Sequence, residues 1–321
     1  MAIKKSTTPL QKHLQSFLDY CEIEKGLSDN TQRNYQQYLK LFFVWLNREN
    51  ISDLLPHQLT SEHVWDYRLF LAREHRTNRG ENLTKKSQNY YLIALRALLA
   101  FFAERDIEAL PSSKIKLAKQ KTEETISFLD VMDIEKMVGV PEVDTPKGLR
   151  DRTILELFFS SGMRISELTA LNQDQFTFLQ DKSTTRTYEL SIVGKGKHIR
   201  TIFISPRAAL WLRLYLKDRH DVEKPLFTNL TANSDSKRLT PRAIQMMIKR
   251  CATLAGISKK VTPHTLRHTY ATDLLDAGAD LRSVQELLGH KNVSTTQVYT
   301  HVTNKRLRDI HEKFHGGSET K

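Results

Sequence analysis

Apolar residues recur at helical spacing through the first hundred positions of the chain. Leu14, Phe17, Leu18 and Cys21 fall on one side of a segment running from Leu10 to Gly26, where a glycine stops it. Ser28 or Asp29 opens the next helix, with Tyr35, Leu39, Phe42, Phe43 and Leu46 on one face. A third helix is predicted over 61–74, and a fourth from Thr84 to Asp106. Amphipathic helices joined by short loops make a small bundle. The stretch 107–125, IEALPSSKIKLAKQKTEET, loses the apolar period and gains a proline, two serines and several lysines. It reads as an interdomain linker whose lysines suit a phosphate backbone.

From 126 onwards the pattern is mixed. Helices are predicted over 129–139, 147–160 and 164–171. Alternation of period two then marks Tyr188–Val193 and Ile199–Ile204 as the strands of a hairpin around the turn GKGKH. Helices resume at 206–219, 241–256, 263–277, 281–288, 293–299 and 303–314. No internal repeat or low-complexity segment is visible. The expected architecture is mainly α with a small β-sheet: a four-helix N-terminal domain over 1–106, a linker over 107–125 and a mixed α/β domain over 126–321.

Composition sharpens this picture. A chain of 321 residues suits two domains, and 39% hydrophobic with 27% charged content suits a soluble globular protein. Lys and Arg outnumber Asp and Glu by 49 to 37, a formal charge of +12 spread over both parts of the chain rather than a tail. Such a chain expects phosphate-rich partners, nucleic acid first. Cys21 and Cys251 are too few and too distant for a disulfide framework or a zinc cluster. The start, MAIKKSTTPLQKH, lacks the apolar run of a signal peptide, and the longest apolar region, Ala94 to Ala103, is too short to span a bilayer. A cytoplasmic, nucleoid-associated location with no membrane partner is expected.

Four motifs carry chemistry. In PHTLRH (263–268), Thr262 is a good N-cap and Pro263 a good first helical residue, so His264 and Arg267 share the face of a helix N-terminus that attracts anions. The arginine offers a bidentate fork and the histidine a further donor for a phosphate's non-bridging oxygens. His264 and His268 also stand four apart, a spacing that suits zinc, but no Glu sits between them as a general base and no Cys completes a site. His268 is better read as a packed or supporting residue. In SSGMRISELTALN (160–172), a glycine break lets Arg164 point into a cleft, with Glu167 one turn on to orient it; the plain alternative is a surface i,i+3 pair. In VGKGKHIR (193–200), Lys195 stands between glycines at a hairpin tip, able to reach a DNA backbone and give up a proton; the plain alternative is an exposed turn lysine. In LLGHKNVSTTQVYTH (287–301), Gly289 ends a helix, His290 follows, and Tyr299 comes nine residues later. A lone tyrosine is usually a packing residue, and its phenol is a poor nucleophile unless charged neighbours help.

Each motif alone is weak, but the order Arg164, Lys195, His264, Arg267, His290, Tyr299 resembles that of the tyrosine recombinase (phage integrase) family, Arg…Lys…His-x-x-Arg…His/Trp…Tyr. The flanking text SGMRISEL, VGKGKHIR, HTLRHTYATDLL and VQELLGHKNVSTTQVYTH agrees over about 126–315. The N-terminal bundle resembles the family's core-binding (SAM-like) domain. The compact length looks most like the Xer-type site-specific recombinases.

The resemblance implies that Tyr299 attacks a DNA phosphodiester to give a 3′-phosphotyrosyl link and a free 5′-hydroxyl. Arg164 and Arg267 would neutralise the transition state, Lys195 would protonate the leaving oxygen, His264 would assist at the tyrosine and His290 would hydrogen-bond the phosphate. No metal, nucleotide or other cofactor is implied. The expected partners are a double-stranded DNA recombination site and further protomers, in a homo- or hetero-tetramer whose C-terminal helix 303–314 is exchanged. An activating DNA translocase is a further partner the sequence leaves open. Arg33, Lys86 and Asn89 in the first domain, and Arg242 at a capped helix start in the second, are candidates for DNA contact. Two competing readings are a monomeric relaxing enzyme of the type IB topoisomerase kind and a catalytically silent DNA-binding relative. Chromosome dimer resolution and integration or excision of a mobile element both remain open as roles.

Overall fold

The computed structural model describes residues 3–77, 80–119, 128–180, 185–194, 198–230 and 237–289. The chain divides into two units, 1–123 and 124–321. The helices anticipated at 293–299 and 303–314, together with Lys195, His290 and Tyr299, lie outside the described residues.

In the first unit a 3₁₀ turn, Leu10–His13, leads into α1 (Leu14–Ile23), followed by α2 (Asp29–Arg48), α3 (Ser61–Leu69) with a π-helical turn at Phe70–Glu74, and α4 (Lys85–Glu104). Side-chain caps fix two of the starts. The Thr60 hydroxyl accepts from the His63 N–H at 3.3 Å, and the Thr84 hydroxyl from the Ser87 N–H at 3.1 Å. Of the predicted stripe residues, Phe17, Leu39 and Phe42 are buried in the core, where Tyr67, Leu95 and Phe102 from α3 and α4 join them, with Phe42 and Tyr67 edge to face at 4.9 Å.

The segment read as linker is, over 107–119, part of this packing. Lys4 and Ile107 form a parallel bridge, Ile115 is buried in the core, and the Asn89 amide donates to the Ala118 carbonyl at 2.9 Å and accepts from its N–H at 3.0 Å. An apolar side chain within reach of a core outweighs a polar, proline-bearing context. The same observation corrects one expectation. Asn89 is buried and both ends of its amide hold the backbone of Ala118, so it is a tether for that segment rather than an open donor for a DNA groove.

The second unit contains α5 (Val131–Val138), α6 (Pro146–Ser161), α7 (Ile165–Ala170), a 3₁₀ stretch at Gln173–Gln180, strands β1 (Tyr188–Val193) and β2 (Ile199–Ile204), α8 (Pro206–Asp218), α9 (Pro241–Leu254), α10 (Pro263–Asp276) and α11 (Leu281–Leu288). Four of these helices begin in the same way. Thr145, Ser205, Thr240 and Thr262 each accept a backbone N–H through the hydroxyl, and a proline takes the first helical position. Helix α6 lies at the centre, packed by α8, α10 and β2 and buried along most of its length. The strands pair antiparallel with Tyr188 opposite Ile204 and Val193 opposite Ile199, and Tyr188, Leu190 and Ile192 turn inward. The 3₁₀ stretch was not anticipated, since so short a helix carries almost no periodic signal. No helix among the described residues is long and apolar enough to cross a membrane.

Candidate active site

Three helix boundaries of the second unit converge, and glycines make two of them possible. Helix α6 ends at Gly162, which adopts φ +56°, a left-handed conformation that glycine takes without strain. A Cβ there would lie 2.3 Å from Cδ1 of Tyr270 on α10, so the ring needs the missing side chain. The turn leaves the Gly162 carbonyl to accept from Arg267 Nη1 at 2.7 Å. Helix α11 ends in the same way at Gly289, φ +65°.

Arg164 occupies the position that caps α7, with extended backbone. The Glu167 carboxylate reaches back to the Arg164 N–H at 2.7 Å and takes its Nη1 at 2.8 Å. The R-x-x-E spacing therefore does two jobs: it satisfies an open N–H at the helix start, and it orients the guanidinium. The surface-pair alternative does not hold, because Glu167 is only 3% exposed.

The far side of each guanidinium meets α11. The last carbonyls of a helix have no partner within it, and they form the negative end of its dipole. Here three consecutive carbonyls are each taken by a different arginine. Arg200 Nη1 donates to Leu287, Arg267 Nη2 to Leu288, and Arg164 Nη2 to Gly289 at 3.1 Å. Arg200 also donates from Nη2 to Glu167 Oε2 at 2.8 Å. Two of the three guanidiniums, Arg164 and Arg200, share the Glu167 carboxylate, while Arg267 bonds the backbone carbonyls of Gly162 and Leu288, so positive charge is in excess around the end of α11. Burial pushes the Glu167 carboxyl up, but the hydrogen bonds from Arg200 and Arg164 outweigh it and hold the group below the usual glutamate range. Glu167 is therefore an anion that fixes the arginines.

The remaining expectations fall around this cluster. Arg267 is buried on the first turns of α10, and His264, one turn before it, is exposed. His268 is half-buried; burial lowers its pKa, and the neighbouring His264 and Arg267 lower it further. Tyr270 is half-buried too, its phenol pushed up by burial against the opposing influence of Arg200 and Arg267. Gly194, the residue before Lys195, packs on the Arg164–Glu167 pair, since a Cβ there would lie 3.1 Å from Glu167 Oε1 and 3.9 Å from Arg164 Nη1. The hairpin is thus anchored beside Arg164 up to the residue that precedes the lysine. Among the described residues, no group of three or more His, Cys, Asp or Glu side chains is arranged to hold a metal ion. Arg33 and Lys86 stand on the surface of the first unit, and Arg242 on that of the second at the start of α9.

Motif reasoning missed Arg200. Its signal was present, because it stands in phase with Ile202 and Ile204, the inward positions of β2. A charged residue in the apolar phase of a strand must have a buried partner.

This architecture and this arginine cluster suit a protein that acts on phosphate, and comparison with known proteins gives its family. The phage integrase family matches residues 127–306, and its N-terminal SAM-like domain matches 14–106. The chain belongs to this family, the tyrosine recombinases, and is a site-specific DNA recombinase of Xer-like kind. It is 35% identical to the tyrosine recombinase XerD of Lacticaseibacillus casei, over 94% of this chain and 98% of that protein. It is 34% identical to the tyrosine recombinase XerC of Syntrophus aciditrophicus, over 94% and 96% respectively. Its fold matches that of the XerH site-specific recombinase bound to palindromic difH substrate in a post-cleavage complex, with TM-score 0.65 and 20% identity over 97% of this chain and 98% of that one.

Proposed function

We propose that Arg164, Lys195, His264, Arg267, His290 and Tyr299 form the catalytic set of this recombinase, acting on one phosphodiester of a double-stranded recombination site. The Tyr299 phenolic oxygen attacks phosphorus, the bond to the 5′-oxygen breaks, and a 3′-phosphotyrosyl ester remains. His264 takes part in proton transfer at the tyrosine, and Lys195 gives its proton to the departing 5′-oxygen. The ester keeps the bond energy, so the reverse attack by a 5′-hydroxyl rejoins DNA without a nucleotide cofactor. Arg164 and Arg267, with His290, stabilise the extra charge on the non-bridging oxygens.

The observation that supports this most is the pairing of Arg164 and Arg267 on adjacent carbonyls, Gly289 and Leu288. Guanidinium groups held there by neutral acceptors can exchange them for phosphate oxygens, to which charge-assisted bonds are stronger.

The wider reading follows. Residues 126–321 act as the catalytic domain, 1–106 as the core-binding domain, and Arg33, Lys86 and Arg242 contact DNA. Four protomers exchange strands between two sites, with the helix at 303–314 docking on a neighbour. The work is done at the nucleoid, in resolving chromosome dimers or moving a mobile element.

The test is a set of suicide DNA duplexes bearing candidate sites from the source genome, incubated with wild type or Tyr299→Phe in EDTA and without ATP. Denaturing gels should show a protein–DNA adduct with wild type alone. An adduct that persists in Tyr299→Phe names another nucleophile. Tight specific binding with no adduct in either means a silent DNA-binding relative.

A further inference from the structure

We propose that Arg200 is a positioning residue for strand cleavage, one that holds Arg164 in its working orientation through Glu167 and ties the end of α11 into the same grip. The inference rests on the reading of Arg164 as a transition-state charge.

Burying an arginine on this strand carries a desolvation penalty. Its side chain is 9% exposed, on the inward face of β2, and its Nε is buried with no partner among the described residues. An aliphatic side chain would avoid burying that charge, but it would leave the Glu167 carboxylate and the Leu287 carbonyl without this donor. What the arginine supplies is a connection. Nη2 bonds Glu167 Oε2, while the other carboxylate oxygen, Oε1, bonds Arg164 Nη1. Nη1 bonds the Leu287 carbonyl, two residues before the Gly289 carbonyl that takes Arg164 Nη2. Gly289 also packs directly on the Arg200 stem, since a Cβ there would come 2.7 Å from Arg200 Cδ. Both anchors of Arg164 are therefore in contact with Arg200.

This matters at the moment of exchange. When a phosphate oxygen replaces the Gly289 carbonyl on Arg164 Nη2, the guanidinium keeps only Glu167. A carboxylate held by Arg164 alone would follow it, whereas one held also from β2 stays in place. Arg200 thus keeps Arg164 preorganised while its other partner changes, and such preorganisation is where electrostatic catalysis gains most.

The test compares full-length wild type, Arg200→Leu, Arg200→Lys, Glu167→Gln and the Arg200→Leu/Glu167→Gln double variant. Each is assayed in single turnover on the suicide duplex that wild type cleaves, with Tyr299→Phe alongside. Arg200→Leu should lower the cleavage rate constant about 100-fold while DNA affinity stays within about threefold, the pattern of a contact used only in the transition state. Arg200→Lys should recover part of the rate, since an ammonium can reach Glu167 but cannot bond α11 as well. The double variant should be no slower than the slower single, because both break one chain of contacts. The acid limb of the Arg200→Leu rate profile should move to higher pH. Arg164, from the start of α7, and Arg200, from β2, are the charged groups bonded to Glu167, and losing one makes the carboxylate easier to protonate.

A folded Arg200→Leu enzyme that cleaves at the wild-type rate overturns the proposal. So does a double variant whose loss is the product of the single losses, or a loss fully matched by weaker DNA binding. If Arg200→Leu fails to fold, Arg200→Lys and its double variant with Glu167→Gln make the same comparison. Absence of an adduct from wild type, or its persistence in Tyr299→Phe, defeats the catalytic reading instead and is thus told apart.

Discussion

Arg164 and Arg267 share a requirement that lysine cannot meet. Each guanidinium bonds in two directions at once, Arg164 to Glu167 and Gly289, Arg267 to Gly162 and Leu288. A planar fork supplies both bonds from one charge; an ammonium on a single stem does not. Arg267→Lys should therefore lower single-turnover cleavage about 10²–10³-fold, the scale of losing one preorganised donor. It should also destabilise the second unit by about 1–3 kcal/mol, since a buried carbonyl loses its partner; urea denaturation measures the second effect separately. Glu167 makes a pH-dependent contribution of predictable sign. Its folded-state pKa lies below the ordinary value of 4.5, so its stabilising contribution is fully present above that value and is lost as the pH falls through the lowered one. Urea midpoints of wild type and Glu167→Gln should therefore differ most at neutral pH, and the gap should narrow as the pH falls below the ordinary glutamate value and through the lowered one. An unchanged gap would mean that the carboxylate's charge adds nothing.

At the scale of elements, the site is made where helices end. Helix α6 stops at Gly162, α7 starts at Arg164, and α11 stops at Gly289; each boundary exposes the backbone groups that the arginines and Glu167 then use. Gly162→Ala meets two penalties, a left-handed backbone and the ring of Tyr270. A loss of about 1–3 kcal/mol is expected. Adding Tyr270→Ala should recover part of that loss by removing the clash, though not the backbone strain, so the two changes should be non-additive in denaturant unfolding. Strict additivity would mean that the ring and the glycine do not share the space.

For the whole molecule, the relevant quantity is charge. An excess of +12 spread over both units suits a protein that meets DNA along an extended surface. Binding to duplex DNA, followed by fluorescence anisotropy across salt concentrations, should weaken linearly on logarithmic axes. Replacing Arg33, Lys86 or Arg242 by Ala should each flatten the slope by about 1 if that side chain meets a phosphate. Asn89→Ala should instead leave the slope unchanged and weaken the anchoring of residues near Ala118, visible as faster amide exchange there. Truncation after Thr303 tests the proposed exchange of 303–314. Recombination should fall while monomeric DNA binding persists, and a truncated protein that recombines normally would remove that coupling.

Much of this could be read from local pattern. Helix starts were legible because Thr or Ser followed by Pro satisfies open backbone groups within one turn, as at Thr262-Pro263, and the hairpin was legible because period two survives in β1 and β2. The motifs around Arg164 and Arg267 were legible too, because the residue types that phosphate chemistry needs are few. Three things were decided only in three dimensions. The segment 107–119 looked like a linker until Ile115 found a core to enter. Asn89 looked like a DNA donor until the Ala118 backbone took both ends of its amide. Arg200 carried no motif of its own, and its importance arises from Glu167 and Leu287, far away in sequence. Capping, turns and periodicity are interactions between near neighbours, so the sequence by itself determined them. Which buried charge meets which carbonyl depends on where three helix ends arrive together, and only the tertiary structure decides that.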